Sequence, residues 1–217
     1  PEIAALNAVA DEWVAERGAA IDDDNNGLFF WPLIDYPEVD FTLTHQRTLP
    51  LVAEMLGGLE HTRLIELNWR GWDPAPLRRA DGSVPPRPRG MLWHADTTPG
   101  VTHEDRRARQ PYGPPDYVST FTYLTDVDST APAFAVIPRS FDADPNDLPE
   151  LRARLGPEYR EVSIFGKAGT CTITDRGLVH TRRDPSVPLE RAAGRRVLHH
   201  GFARAGEVVS PLCFFSA

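Results

Sequence analysis

The stretch Trp93 to Asp96 contains two side chains that can bind a metal ion. His94 and Asp96 are separated by one residue. On a β-strand, residues i and i+2 project from the same face, so an imidazole and a carboxylate at this spacing can converge on one ion. The pair alone is a weak signal, because a surface strand that ends in a polar turn gives the same letters. A metal site would therefore need a third ligand elsewhere in the chain.

His180 is the candidate for that third ligand. It follows a β-prone segment, 169–174, and the turn Asp175-Arg176-Gly177, and it begins the next predicted strand. Two imidazoles and one carboxylate on one face of a β barrel form the facial triad that binds iron(II) and leaves three coordination positions open. Taken alone, a histidine at this place is more often an ordinary core residue.

Arg195 adds a fourth functional group in the same order along the chain. It begins a predicted strand 15 residues after His180. A guanidinium can form a bidentate pair with a buried carboxylate, and the distal carboxylate of 2-oxoglutarate fits that role. The alternative for Arg195 by itself is a surface salt bridge of little energetic value. The ordered set H-x-D, His, Arg is much rarer than its parts, and it indicates one site.

The elements that must position these residues are helices first and strands afterwards. Apolar residues recur at helical spacing from Ile3 to Val14 and predict an amphipathic helix that ends near Gly18. A second helix is predicted over 49–56, closed by a glycine pair in the place of a left-handed cap. A third is predicted over 148–155.

After Gly58 the sequence changes to short β-prone segments separated by Gly and Pro. These segments are 62–69, 90–94, 117–124, 134–137, 169–174 and 196–202. Many short strands predict a sandwich or barrel. The Pro- and Arg-rich stretch 73–89 is interpreted as a long loop, and such loops often cover a site. The sequence thus predicts one domain over 1–217, with a helical flank (1–58) and a β core (59–217).

Length and charge exclude several classes of function. A chain of 217 residues suits one domain, and a net charge of −8 argues against non-specific binding of nucleic acid. No apolar run approaches the roughly 20 residues of a membrane helix, and no signal segment opens the chain. Two cysteines without C-x-x-C spacing fit a reducing compartment. We expect a cytoplasmic protein with a small-molecule substrate and no nucleic-acid or membrane partner, and no oligomeric state is favoured.

The chain resembles the phytanoyl-CoA dioxygenase family of iron(II)- and 2-oxoglutarate-dependent oxygenases over most of its length. The segment 49–58 (LPLVAEMLGG) is similar to the family's helix before the core, and Trp93 to Asp96 is similar to its metal motif. The segment 123–141 (YLTDVDSTAPAFAVIPRSF) resembles its strand, loop and Pro-Gly-Ser-His turn. The segment 169–180 resembles the family's stretch that ends in the second histidine ligand.

This resemblance implies a double-stranded β-helix fold, a jelly-roll of the cupin type that is mainly β with flanking helices. It implies that His94, Asp96 and His180 are the catalytic iron(II) ligands, with 2-oxoglutarate and dioxygen as cosubstrates. Arg195 would bind 2-oxoglutarate. Phe121 stands where the family often has an aromatic ring beside the cosubstrate, although a core role is about as expected. Because halogenating members have a small residue in place of Asp96, hydroxylation of a small organic molecule is favoured.

The chain departs from the family pattern at three places. Arg182 stands where a small hydroxyl residue is common, Arg139-Ser140-Phe141 replaces Gly-Ser-His, and the interval from His180 to Arg195 is a few residues longer than usual. Three alternatives remain open. They are oxidative cyclisation, desaturation or epimerisation on the same iron centre; a cupin-like zinc or manganese enzyme that does not use 2-oxoglutarate; and a non-catalytic binding module.

Three further predictions concern residues near the proposed site. His199 and His200 are adjacent on the last predicted strand, so at most one can face the site, and structural roles are favoured for both. Trp93 adjoins a ligand and is predicted to line the substrate pocket. The charged segment 103–109 is interpreted as an exposed loop that could act as a lid, and substrate specificity is expected to depend on loops such as 73–89 and 103–116.

Overall fold

The computed structural model describes residues 1–17, 20–22, 27–30, 37–73, 92–95, 115, 117–141, 143–175 and 177–205. Within these residues the α-helices are α1 (Glu2–Arg17), α2 (Asp40–Leu43), α3 (Leu49–Met55) and α4 (Leu148–Leu155). The strands are β1 (Ala20–Asp22), β2 (Gly27–Phe30), β3 (Thr62–Trp72), β4 (Tyr117–Tyr123), β5 (Ala133–Val136), β6 (Val162–Ile164), β7 (Cys171–Asp175), β8 (His180–Arg183) and β9 (Arg195–Arg204). No helix of the described chain is both long enough and apolar enough to cross a membrane.

The strands form two antiparallel sheets. The large sheet has the order β1-β2-β3-β9-β4-β7, and the small sheet has the order β6-β5-β8. A single antiparallel bridge between His94 and His180 attaches the described segment 92–95 to β8. The last three strands alternate between the sheets, because β7 and β9 lie in the large sheet and β8 lies in the small one.

The two sheets face each other and share an apolar core. Phe134 and Val136 of β5 are buried with Tyr123 of β4 and Val197 of β9, which lie in the opposite sheet. The rings of Phe121 and Phe134 stack across the interface at 4.8 Å between centroids. The predicted mainly-β architecture with flanking helices is confirmed.

Two helices cover the outer face of the large sheet. Leu6, Ala10 and Trp13 of α1 pack against Leu67 and Trp69 of β3. In a second cluster, Val52 of α3 and the adjacent Leu56 pack against Val118 and Phe202 of the sheet. Because successive strand residues point to opposite faces, the strand residues that alternate with Leu67, Trp69, Val118 and Phe202 face the small sheet.

Helix α4 covers the outer face of the small sheet. Its Leu151 is buried with Ile137 and Val179. Ile137 follows Val136, Val179 precedes His180, and Val136 and His180 face the interior between the sheets. The helix begins after Asp147, whose side chain accepts a hydrogen bond from the backbone N–H of Glu150 at 3.0 Å. This cap satisfies one of the unpaired N–H groups of the first turn.

The predicted helices are confirmed, and the observed strands differ from the prediction mainly at their ends. Helix α3 ends at the glycine pair, where Gly57 and Gly58 have φ values of 88° and 137°. The sequence reasoning missed β1, β2 and β6, which have three or four residues and too few positions to show an alternating pattern. Apart from Asp73 and Pro115, the loops predicted over 73–89 and 103–116 lie outside the described residues.

Candidate metal and carboxylate site

His94 and His180 lie directly opposite each other across an antiparallel bridge. The backbone N–H of His94 donates to the carbonyl of His180 at 2.9 Å, and the N–H of His180 donates to the carbonyl of His94 at 2.8 Å. Residues paired in this way project from the same face of the sheet. Their imidazole centroids are 4.3 Å apart and their planes are inclined by 56°. Two predicted ligands thus converge on one point.

Each imidazole is oriented by a backbone carbonyl two residues earlier in the chain. Nδ1 of His94 lies 2.9 Å from the carbonyl oxygen of Leu92, and Nδ1 of His180 lies 2.8 Å from that of Leu178. A carbonyl only accepts hydrogen bonds, so this geometry favours a proton on each Nδ1. In the neutral imidazole, Nε2 then has the lone pair that can bind a metal.

The third predicted ligand, Asp96, lies outside the described residues. Within the described residues, no group of three His, Cys, Asp or Glu side chains is arranged to hold a metal ion. The structure therefore places two of the three predicted ligands together. The role of Asp96 stays a prediction from its spacing to His94.

Arg195 lies on the interior face of the large sheet. It begins β9, and Val197, two residues later, belongs to the core between the sheets. Its Nε atom is buried and has no hydrogen-bond partner in the described part of the chain. Burial and the positive charge of Arg182 lower the pKa of Arg195 to about 10. Burial of a cation is unfavourable unless an anion or a hydrogen-bond acceptor compensates it.

Arg182 lies on the same interior face as His180. It is paired with Phe134 in the β8–β5 register, just as His180 is paired with Val136, and both partners belong to the interior core. Arg182 is buried, with 8% of its surface exposed. The interior therefore contains a second arginine that the sequence reasoning treated only as a departure from a family pattern.

Phe121 is enclosed between aromatic rings on the interior face of β4. It stacks on His199 at a centroid distance of 4.4 Å and an angle of 5°, and on Phe134 at 4.8 Å. Phe134 in turn lies 5.4 Å from the ring of His180. This row of four rings connects the middle of the large sheet to the predicted metal ligand.

A polar network lies beside this row, on the interior face of β3. Glu66, Asn68 and Arg70 alternate with the buried Leu67 and Trp69. The guanidinium of Arg70 donates to Asn68 Oδ1 at 2.8 Å and is paired with Glu66 at 3.4 Å. The sequence reasoning missed this network. The strict alternation of polar and apolar residues in 66–70 predicts a polar face, but it does not show that this face lies in the interior.

His199 belongs to the same network, and His200 does not. Nδ1 of His199 lies 3.0 Å from Asn68 Nδ2, and its Nε2 lies 3.2 Å from Ser119 Oγ. His200 points to the opposite face, where Thr42 and Thr120 hold its two ring nitrogens. The prediction that the two histidines face opposite sides is confirmed.

The structure corrects the prediction for Trp93. Its ring packs with Ile137 and Leu151 on the outer face of the small sheet, and the guanidinium of Arg183 lies 6.0 Å from its centroid. The reason is the alternation of the strand: because His94 faces the interior, its neighbour Trp93 faces α4. Trp93 is therefore a packing residue rather than a pocket residue.

Comparison with solved structures shows the fold. The chain is similar to SnoN, a non-haem alpha-ketoglutarate-dependent epimerase from nogalamycin biosynthesis, with a TM-score of 0.61 and 16% identity over 93% of this chain and 72% of that one. HygX from Streptomyces hygroscopicus, solved with nickel and 2-oxoglutarate, has a TM-score of 0.64 and 15% identity over 94% of this chain and 79% of that one. EctD from S. alaskensis, solved with iron, has a TM-score of 0.65 and 19% identity over 93% of this chain and 68% of that one. Neither a protein-family model nor a curated protein sequence matches the chain.

These similarities establish the double-stranded β-helix fold that the sequence predicted, and the facing sheets are its two layers. The described residues also fit the groups that such enzymes bind. The paired imidazoles of His94 and His180, whose geometry favours a proton on Nδ1, are suitable nitrogen ligands for iron(II). The buried Nε of Arg195 is a suitable donor for a carboxylate of 2-oxoglutarate.

Proposed function

We propose that this protein is an iron(II)- and 2-oxoglutarate-dependent oxidoreductase. In this proposal His94, Asp96 and His180 bind the metal, and Arg195 binds the distal carboxylate of 2-oxoglutarate. The observation that supports it most is the hydrogen-bonded bridge between His94 and His180, with each Nδ1 fixed by a backbone carbonyl. A pair of surface histidines would not need this arrangement on both rings.

The chain's own residues have separable tasks in this mechanism. The bridge holds the two imidazoles at a fixed spacing, and the i+2 position of Asp96 allows its carboxylate to approach the same point. Arg195 anchors the far end of the cosubstrate, while Phe121 and Phe134 exclude water from the interior. When bound, iron(II) would activate dioxygen, which is the oxidant, and 2-oxoglutarate would supply two electrons and leave as succinate and carbon dioxide.

A small organic molecule is the proposed substrate, and hydroxylation is the proposed reaction, within the phytanoyl-CoA dioxygenase family that the sequence resembles. The presence of Asp96 supports oxygen transfer over halogenation. HygX was solved with hygromycin B, and SnoN was solved with nogalamycin RO, so proteins of this fold accept large natural products. Because SnoN is an epimerase and SnoK a carbocyclase, epimerisation or ring closure on the same centre is the second candidate.

Iron binding by a histidine variant tests this proposal. The protein is reconstituted anaerobically with iron(II), and its bound metal and its succinate production from 2-oxoglutarate are measured. His180→Ala should bind iron at least about 100-fold more weakly, because even the loss of an outer-shell partner costs 10- to 100-fold in metal affinity. His61→Ala is the matched control, since His61 lies at the surface with 44% of its side chain exposed. Wild-type iron affinity in His180→Ala would contradict the proposal.

A further inference from the structure

His199 is held at both ring nitrogens by side chains of the large sheet. Its Nδ1 lies 3.0 Å from Asn68 Nδ2 and 3.2 Å from a terminal nitrogen of the Arg70 guanidinium. The same Nδ1 lies 3.2 Å from Oε1 of Glu66, and Nε2 lies 3.2 Å from Ser119 Oγ. Because donors and an acceptor surround Nδ1, this nitrogen has a partner in either protonation state. Side chains of β3 and β4 therefore fix the plane of the imidazole.

The partners of His199 on β3 are themselves fixed by hydrogen bonds. Nε of Arg70 donates to Asn68 Oδ1 at 2.8 Å, which orients the amide so that its Nδ2 faces the imidazole. That Nδ2 also donates to Oε1 of Glu66 at 2.9 Å, and the hydroxyl of Tyr117 donates to Oε2 at 2.6 Å. Asn68 and His199 are fully buried. Buried polar groups that bond to one another in this way form a rigid unit.

The imidazole of His199 lies at one end of the row of four rings. Phe121 stacks on it with a centroid distance of 4.4 Å and an angle of 5°. Phe134 follows at 4.8 Å from Phe121, and the ring of His180 follows at 5.4 Å from Phe134. Because protein interiors are close-packed, a shift of one ring is transmitted to its neighbours. The row thus connects the rigid polar unit of the large sheet to a predicted metal ligand of the small sheet.

This row gives His180 a contact that its own hydrogen bond does not supply. The bond between Nδ1 and the carbonyl of Leu178 fixes one atom of the ring. The ring can still turn about that bond unless other groups pack against it. Phe134 packs against it from the neighbouring strand β5, and Phe121 holds Phe134 from the large sheet. The direction of Nε2 of His180 therefore depends on the position of these two phenylalanines.

We propose that His199 is a positioning residue for the metal centre. It fixes Phe121, and through Phe134 it fixes the ring of His180 in the orientation that binds iron(II). His199 itself does not touch the metal in this arrangement. The inference rests on the proposed function, and it gives the buried polar network of β3 a role in metal affinity.

Cobalt(II) binding tests the role of His199 without turnover. Cobalt(II) replaces iron(II), and its visible absorption bands depend on the coordination geometry. His199→Gln keeps an amide for the partners on β3 but removes the ring that stacks on Phe121. The variant should bind cobalt(II) about 10- to 100-fold more weakly, as expected for the loss of a group that supports a ligand. The bands of its cobalt complex should also shift.

A double-mutant cycle tests whether His199 acts through Phe121. Phe121→Leu should weaken cobalt(II) binding by a similar factor. The double variant should bind no more weakly than the weaker single variant, because both substitutions interrupt the same row of rings. If the two losses multiply instead, His199 acts independently of Phe121 and the inference is overturned.

His200→Gln is the matched control, because it removes the adjacent buried histidine from the opposite face of β9. It should keep the wild-type cobalt affinity and absorption bands. Wild-type affinity in His199→Gln, or an equal loss in His200→Gln, overturns the inference. Should His199→Gln not fold, Ser119→Ala decides, since it removes only the partner of Nε2. A weaker affinity with shifted bands then supports the inference, and an unchanged affinity overturns it.

The wild type and His180→Ala separate this inference from the proposed function. If the wild type does not bind cobalt(II), or if His180→Ala binds it equally well, the proposed function fails and the inference fails with it. If cobalt(II) binding depends on His180 and His199→Gln leaves that affinity unchanged, only the inference fails.

Discussion

His94 and His180 have the same local environment although 86 residues separate them in sequence. In both cases the acceptor that fixes Nδ1 is a main-chain carbonyl two residues earlier. Because the acceptor is part of the backbone, no side-chain substitution can remove it directly. The tautomer of each ring therefore depends on the backbone geometry at the bridge rather than on a second side chain.

His200 is also a buried histidine, and its surroundings disfavour the protonated ring. Burial and the neighbouring His199 lower its pKa from 6.5 to about 3. Thr120 and Thr42 hold Nδ1 and Nε2 at 3.1 and 2.9 Å. The folded protein thus keeps this ring neutral over most of the acidic range.

This environment predicts a pH dependence of stability. The unfolded chain takes up a proton at His200 near pH 6.5, and the folded chain does so only near pH 3. The contribution of the neutral ring to the free energy of unfolding is therefore complete above about pH 6.5. It declines as the pH falls, by about 1.4 kcal/mol per pH unit. Urea unfolding of wild type and His200→Gln between pH 7 and pH 5 should show a shallower decline in the variant. The exposed His61→Gln is the control, and identical slopes for wild type and His200→Gln would refute the assignment.

At the scale of elements, helix α4 supports the strand that contains His180. Leu151 of α4 is 2% exposed and packs with Val179, the residue before His180. Replacement of such a residue by alanine removes buried surface and leaves a cavity. The packing of α4 thus contributes directly to the stability of the small sheet.

Leu151→Ala is expected to lower the free energy of unfolding by about 2 to 5 kcal/mol, as measured by denaturant titration. Leu189→Ala is the matched control, because Leu189 is 46% exposed, and it should change stability by less than about 0.5 kcal/mol. Equal effects of the two substitutions would show that α4 does not pack as described.

The helices and most strands could be predicted from sequence because their signals are local. The cap residue Asp147 and the glycine pair after α3 mark helix ends by their own backbone chemistry. The segment that contains His94 has no such local signal. Within the described residues it pairs with β8 through one bridge. Its pairing depends on a partner far along the chain, which no local pattern specifies.

The sequence analysis also did not predict the polar interior face of β3, and the reason is physical. Glu66, Asn68 and Arg70 alternate with apolar residues, and such a pattern ordinarily indicates a strand with one solvated face. Here the apolar face packs under α1 and the polar face lines the interior between the sheets. Sequence alternation defines two faces, but it does not determine which face is covered by the second sheet.

At the scale of the whole molecule, the candidate site depends on two sheets that face each other. His180 belongs to the small sheet and His94 is bridged to it, whereas Arg195 belongs to the large sheet. Their order in sequence was the basis for predicting one site. The structure pairs His94 with His180, and the joint site with Asp96 and Arg195 stays a prediction.

Net charge also gives no indication of the charge inside the fold. The chain carries a net charge of −8, yet three arginines, Arg70, Arg182 and Arg195, lie in the interior between the sheets. An acidic surface and a basic interior are compatible because solvent screens the first and hardly screens the second.

The central claim is that one site binds iron(II) and 2-oxoglutarate together. An anaerobic titration of the protein with iron(II) and then 2-oxoglutarate tests it directly, with visible absorption as the signal. Chelation of iron(II) by the 2-oxo acid should produce a metal-to-ligand charge-transfer band that saturates at one equivalent of iron per chain. A protein that binds both components without this band, or binds neither, would contradict the account.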